Sequence, residues 1–181
     1  DSELKIERVL NMNKRFFSDS HTHSKHSFDG NDPVMMLCEQ AIKLGLYSIS
    51  ITDHCECNEY FFNNVRKSIE ASVMSSGKAR ASYGSKMKVY TGIELGQPTQ
   101  NKLAADDVLS LCDYDFVIGS LHNLKNEQDF YFLEYNNDNV NDLLERYFTQ
   151  LYELAVDNRF DTLAHMTYPL RYIVGNVTKE I

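Results

Sequence analysis

Five short apolar runs of this chain each stop on an imidazole or a carboxylate. They are FFSDSHTH, YSISITDH, KVYTGIE, DFVIGSLH and FDTLAH, and they bring the chain to His21 and His23, His54, Glu94, His122 and His165. Imidazole nitrogens and carboxylate oxygens together suit Zn, Mn or Fe, and a carboxylate can bridge two such ions. His21 and His23 are two positions apart, so on a strand both project to one face. Asp29 follows in a loop with Gly30, and Asp53 immediately precedes His54. A lone histidine at a strand end is more often a hydrogen-bonded rim residue than a ligand. Five strand ends with the same chemistry are not independent accidents, and together they predict a cluster of divalent metals.

Ligands drawn from five strand ends require those strands to run parallel, with the ends gathered at one rim. Strands are read at Phe16–Ser20, Tyr47–Thr52, Met87–Ile93, Phe116–Gly119 and Phe160–Ala164, with a small extra one at Tyr131–Tyr135. Asp32 as cap and Pro33 in the first turn open a helix whose apolar face is Val34, Leu37, Cys38, Ala41 and Ile42, and Gly45 stops it. A polar-aromatic helix is predicted from Asn58 to about Ser76, with Lys78–Lys86 as a surface connection. Lys102–Leu111 reads as a short helix. Val140, Leu143, Leu144, Tyr147, Phe148, Leu151, Leu154 and Ala155 give the cleanest helical period in the chain. Strand and helix alternate throughout, which predicts an α/β fold with parallel strands.

The 181 residues suffice for one domain with a sizeable core. Residues 1–11 read as a leader or tag-like extension before Met12, with the domain spanning 12–181. A net charge of -8 argues against nucleic acid as the main partner. It leaves room for a small phosphorylated substrate, because bound metals reverse the local field. No apolar stretch approaches the roughly 20 residues of a membrane span, and no secretory signal is visible. No CxxC pair occurs among Cys38, Cys55, Cys57 and Cys112, which rules out a zinc ribbon. Cys38 and Cys112 read as buried small hydrophobes, while Cys55 and Cys57 lie close enough to His54 to meet a metal. Reduced thiols and a cytoplasmic location are the default.

The segments HTHSKHSFDG, SITDH, TGIELG, VIGSLHN and LAHMTYPLRY resemble the polymerase-and-histidinol-phosphatase (PHP) superfamily, and within it the histidinol-phosphate phosphatases of histidine biosynthesis. The resemblance runs from about Phe16 to Tyr172, and the order and flanks of the motifs make it specific. It implies a distorted (β/α)7 barrel with two to three divalent ions, Zn, Mn or Fe. Carried over by position, His21, His23 and Glu94 bind a first metal. Glu94 bridges to a second, held also by His122 and His165, and His54 with Asp29 holds a third. The family closes its site with a C-terminal Asp-x-His, which would complete the first and third metals. The chain reaches Ile181 without that motif, so a barrel lacking its C-terminal strands is expected, with the second site the complete one.

The activity implied is hydrolysis of a phosphate monoester, histidinol phosphate by resemblance. Glu94 and His122 are the catalytic candidates through the metals they hold. Asp53 is a candidate to orient the His54 imidazole or to protonate the leaving group. Arg171 is the candidate for the phosphate oxygens, since its fork matches their geometry. His26 shares a loop with Asp29, and only one of the two need face a metal, so His26 joins Arg171 as a substrate-binding candidate. An acidic residue near the mouth is expected to hold the amino group of histidinol, and spacing does not name it. Two alternatives stand beside this reading: a related phosphoesterase acting on another small phosphate or a nucleotide, and an inert metal-binding remnant.

Overall fold

The computed structural model describes residues 17–173. Its organising strand is β4 (Lys88–Gly96), the longest, along which Val89, Ile93 and Leu95 alternate with Tyr90, Glu94 and Gly96. Two strands precede the helix before it: β2 (Ser48–Ile51) and β3 (His54–Glu56). Both lie parallel to β4 in one continuous register, Ser48 opposite Lys88 and Ile51 opposite Thr91, then His54 opposite Glu94 and Glu56 opposite Gly96. They behave as one strand interrupted at Thr52 and Asp53. On the outer flanks run β1 (Ser18–Thr22) beside β2, and β5 (Phe116–Ser120) then β6 (Thr162–Leu163) beyond β4. All pairings between these strands are parallel. The result is a parallel half-barrel with its strand C-termini at one rim.

Among the described residues, four helices pack the outer face: α1 (Val34–Leu44), α2 (Val65–Tyr83), α3 (Lys102–Leu109) and α4 (Val140–Asp157). The core divides into three patches along the sheet. Val34, Cys38 and Ala41 of α1 meet Ile49, Ile51 and Val89. Ile69 of α2 and Ala104, Ala105 and Val108 of α3 cover Cys55, Ile93 and Leu95. Leu143, Tyr147, Leu151 and Leu154 of α4 enclose Leu121, Leu124 and Phe130. Burial of apolar side chains at about 25 cal/mol per Å² is the main force holding these layers together. Among the described residues no helix is long and apolar enough to cross a membrane.

Several boundaries differ from the sequence reading. The first strand begins at Ser18, not Phe16, which lies with residues 1–11 outside the described residues. The helix expected at Asn58–Ser76 is displaced: 58–64 form turns, and α2 runs on through Gly77 into the basic stretch as far as Tyr83. Its buried stripe is Ile69, Ser72, Ser76 and Ala79, so two of four inward positions are serines and the apolar period is muted. The segment read as a strand at Tyr131–Tyr135 starts instead in a 3-10 turn, Phe130–Phe132, capped by the Asp129 carboxylate on the Tyr131 amide at 2.7 Å. Asp115 takes the Thr91 amide at 2.8 Å, fixing the entry to β5 beside β4.

Candidate metal centre

Each side chain of the rim is placed by its strand. Between Asp19 and Thr22 the register of β1 against β2 slips by one residue, a bulge in the segment carrying His21. The Nε2 atoms of His21 and His23 come to 3.0 Å from each other. The loop that follows folds back tightly, because Gly30 sits where any Cβ would meet the Ser24 carbonyl oxygen at 1.9 Å. That closure delivers Asp29 to His23 Nδ1 at 2.9 Å. In β3, alternation sends Cys55 outward into the core and His54 and Glu56 inward. Glu94 points inward from β4 and is fully buried. His122 and His165 arrive just past β5 and β6.

Glu94 is the hub. Its Oε1 lies 3.0 Å from His165 Nε2 and 3.2 Å from His122 Nε2, and its Oε2 lies 3.0 Å from His23, 3.1 Å from His54 and 3.4 Å from His21. Three groups of potential ligands form around it: His21, Glu94 and His165; His23, Asp29 and His54; His54, Glu56 and His122. His54 serves two of them, with Nε2 facing Asp29 at 3.5 Å and Nδ1 facing Glu56 at 2.9 Å.

These residues fit divalent ions. Two ligands at about 2.05 Å on a tetrahedral zinc stand roughly 3.3 Å apart, close to the spacings found here. Among the described residues, Glu94 Oε2 and His54 Nδ1 are buried without a hydrogen bond, although imidazoles and carboxylates crowd around them. Buried polar atoms are rarely left so, and atoms converging at contact distance without donor–acceptor alignment are what a shared cation requires.

The titration of the group points the same way. Burial disfavours the Glu94 charge, yet His122, His165, His21 and His23 around it hold the carboxyl well below its usual range. Glu56 and Asp29 are likewise depressed against their burial, the first by His122 and His54, the second by His54 and His23. Burial pulls His54 down, but Asp29, Glu56 and the charge of Glu94 outweigh it and raise it to about 10. His122 and His23 are raised against their burial by the same carboxylates. Without metal, His54, His122 and His23 are thus favoured in their charged forms beside these carboxylates.

Over the centre opens a cavity of about 610 Å³. The five imidazoles and Asp29 line it, with aromatic walls of Phe28, Tyr131, Phe132, Tyr168 and Tyr172. Arg171 stands at its edge, its guanidinium 5.3 Å from the Tyr168 ring centre and 5.9 Å from that of Tyr172. Asp129 also faces the cavity and accepts the Tyr168 hydroxyl at 3.0 Å. The loop carrying it is folded back on the rim, with Phe130 N–H donating to the His122 carbonyl at 3.0 Å.

All seven sequence-derived ligand candidates converge, in a somewhat different grouping, and Arg171 reaches the cavity. Two candidates do not. His26 Nε2 pairs with Ser75 Oγ at 3.0 Å, in a smaller side cleft of about 290 Å³ that His54 and Glu56 also border. Asp53 is buried away from the cavity, accepting the Ser24 amide at 2.6 Å and the hydroxyls of Ser24, Ser27 and Ser72 at 2.7, 2.9 and 2.5 Å. Nor do Cys55 and Cys57 meet the centre, since both are wholly buried on the opposite side of β3. A hydrogen bond with Cys55 and burial keep the Cys57 thiol protonated. Glu56 is the ligand candidate that motif reading passed over. Its signal was the two-residue alternation that puts it on the face of His54. Asp129 carries no comparable signal.

A PHP domain matches residues 19–180, so the chain belongs to the PHP domain family. It is 23% identical over 158 residues to the histidinol-phosphatase of Lactococcus lactis subsp. lactis (strain IL1403), a match covering 85% of this chain and 58% of the relative. To the probable histidinol-phosphatase of Clostridium acetobutylicum it is 30% identical over 159 residues, with the same coverage of each chain. The crystal structure of the L. lactis histidinol phosphate phosphatase, complexed with Zn, L-histidinol and phosphate, superposes with a TM-score of 0.65 at 20% identity, covering 86% of this chain and 59% of that one. The chain thus spans somewhat over half the length of these relatives, and the shared fold is the parallel PHP half-barrel.

Proposed function

We propose that this chain is a metal-dependent phosphate monoester hydrolase acting on histidinol phosphate, releasing L-histidinol and phosphate. The observation that carries the reading is the convergence of five imidazoles and three carboxylates beneath a cavity whose lining also includes a cation, Arg171, and an anion, Asp129. His21, His23, Asp29, His54, Glu56, Glu94, His122 and His165 would hold the ions. Divalent ions bound there supply Lewis-acid polarisation of the phosphoryl group and a water acidic enough to attack at neutral pH.

The remaining roles fall to the chain itself. Glu94 and His122 keep their places through the carboxylate hub, so the ligand atoms need not reorganise during reaction. Arg171 offers a planar fork for two phosphate oxygens. Asp129 receives the ammonium or imidazolium of histidinol, and the ring faces beside it favour a cation further. The same rings shield the reacting centre from bulk water. The four free cysteines support reading the setting as cytoplasmic.

The names of the relatives and the zinc, histidinol and phosphate in the L. lactis crystal support this reading. A rival reading of the same ligand cluster is a metal-binding module without turnover. The test is a panel of histidinol phosphate, nucleotides and an aryl phosphate offered to the metal-loaded chain, wild type and Asp129→Asn. Wild type should prefer histidinol phosphate, and the variant should lose about tenfold of that preference, the worth of one charge-assisted hydrogen bond. Equal rates on every phosphate would sink the assignment. Metal uptake without hydrolysis of any of them would favour the module.

A further inference from the structure

Gln97, the residue after β4, is 1% exposed and has a left-handed backbone at φ 48° and ψ 46°. Residues with a Cβ avoid that region, and it persists only where the surroundings impose it. Here the surroundings are the Glu56 cluster. The Gln97 side-chain amide donates to Glu56 Oε2 at 2.6 Å and to Asn58 Oδ1 at 3.2 Å, and it also reaches Asn123 Oδ1. Its carbonyl oxygen accepts the His122 amide at 3.2 Å. The backbone is pinned as well, with Gln97 N–H donating to the Ser120 carbonyl at 2.9 Å.

Glu56 is thereby divided. Its Oε1 stands 2.9 Å from His54 Nδ1 and 2.9 Å from His122 Nδ1, while Oε2 is taken by Gln97. The adjoining glycine makes room for this: a Cβ at Gly96 would lie 2.6 Å from Glu56 Oε2. Glu94 and Asp29 differ, since among the described residues both of their oxygens face imidazoles. Neutral amide donation to a ligand carboxylate is the usual way its orientation around a metal is fixed.

We propose that Gln97 is the positioning residue of Glu56, holding one carboxylate oxygen so that the other alone is presented, with His54 and His122, to a divalent ion. This rests on reading that cluster as a metal site. It makes Glu56 a one-oxygen ligand and gives the left-handed backbone at Gln97 a purpose, aiming the amide back across the end of β4.

The test is calorimetric titration of zinc alone into the chelator-stripped chain. Wild type is compared with Gln97→Met, Gln97→Gly, Glu56→Gln and the double variant Glu56→Gln/Gln97→Met. Glycine suits the positive φ, so Gln97→Gly folds even if the methionine variant does not. Both Gln97 variants should weaken one zinc equivalent by about 10- to 100-fold and leave the others unchanged. In the Glu56→Gln background the Gln97 change should cost nothing more. Equal weakening of every equivalent, or a loss that persists without the Glu56 carboxylate, would mark Gln97 as merely structural and overturn the proposal. Unaltered binding by both variants would overturn it alone, whereas a wild-type chain that takes up no zinc would overturn the metal reading with it.

Discussion

Glu94 lies within 3.4 Å of nitrogens from all five imidazoles of the cavity, a reach no other ligand candidate has. Its loss should therefore be felt at more than one ion. Glu94→Gln keeps the shape of the side chain but removes its charge, and elemental analysis should find at least two metal equivalents missing. Among the described residues Asp29 pairs only with His23 and His54, so Asp29→Asn should lose no more than one. If both variants lost the same amount, Glu94 would not be a bridge. The imidazoles were legible in the sequence because each ends an apolar run, a pattern that position alone reveals. Glu56 was not, since a carboxylate two residues past a histidine is ordinary unless the short strand under it is known. His26, a substrate-binding candidate by sequence, pairs with Ser75 in the side cleft, a placement that only the folded loop shows.

At the level of elements, the break between β2 and β3 sets the geometry of the rim, and Asp53 holds that break. Its carboxylate gathers donors from the loop after β1 and from α2, and Ser27, one of those donors, also takes the His54 amide at 2.8 Å. This is a fastening of the His54 backbone, where sequence position suggested orienting its imidazole or protonating the leaving group. Asp53→Asn replaces half of the acceptor surface with a donor and leaves buried serine groups facing it unpaired. The expected cost is about 3–5 kcal/mol in folding stability by urea denaturation of the metal-free chain. A loss under about 1 kcal/mol, the size of a surface change, would show that the serines re-pair without Asp53. The helices show which elements a sequence can announce. In α4 the buried positions are Val140, Leu143, Tyr147, Leu151 and Leu154, all mainly apolar, and every one of them belongs to the helical period read from the sequence. In α2 serines occupy two of the four buried positions, one of them Ser72, which donates to Asp53, so periodicity placed that helix seven residues too early.

For the molecule as a whole, the ligand centre ties together the ends of every strand from β1 to β6, so occupancy and fold stability must be linked. A ligand that binds only the folded chain stabilises it by about 2.7 kcal/mol at a hundred times its dissociation constant. The pH dependence has a definite sign. His54 is raised to about 10 and His122 and His23 are raised with it. In the metal-free protein, the stability they contribute is complete below the ordinary histidine value near 6.5 and is lost as pH rises toward 10. Asp29, Glu56 and Glu94 are depressed, so their contribution is present above the ordinary carboxylate range and is lost only in strong acid. Between pH 6 and 8 the carboxylates are thus constant and the imidazoles decide. Zinc takes neutral imidazole, so its binding displaces those protons and tightens as pH rises. The two trends are opposite: the metal-free melting temperature should fall from pH 6 to pH 8 while the zinc-stabilised increment grows. Differential scanning calorimetry with and without chelator at pH 6, 7 and 8 measures both. A widening gap, with proton release seen as binding enthalpies that vary with buffer, is the expected result. A gap that stays constant or narrows would mean that zinc binds away from the His54, His122 and His23 imidazoles.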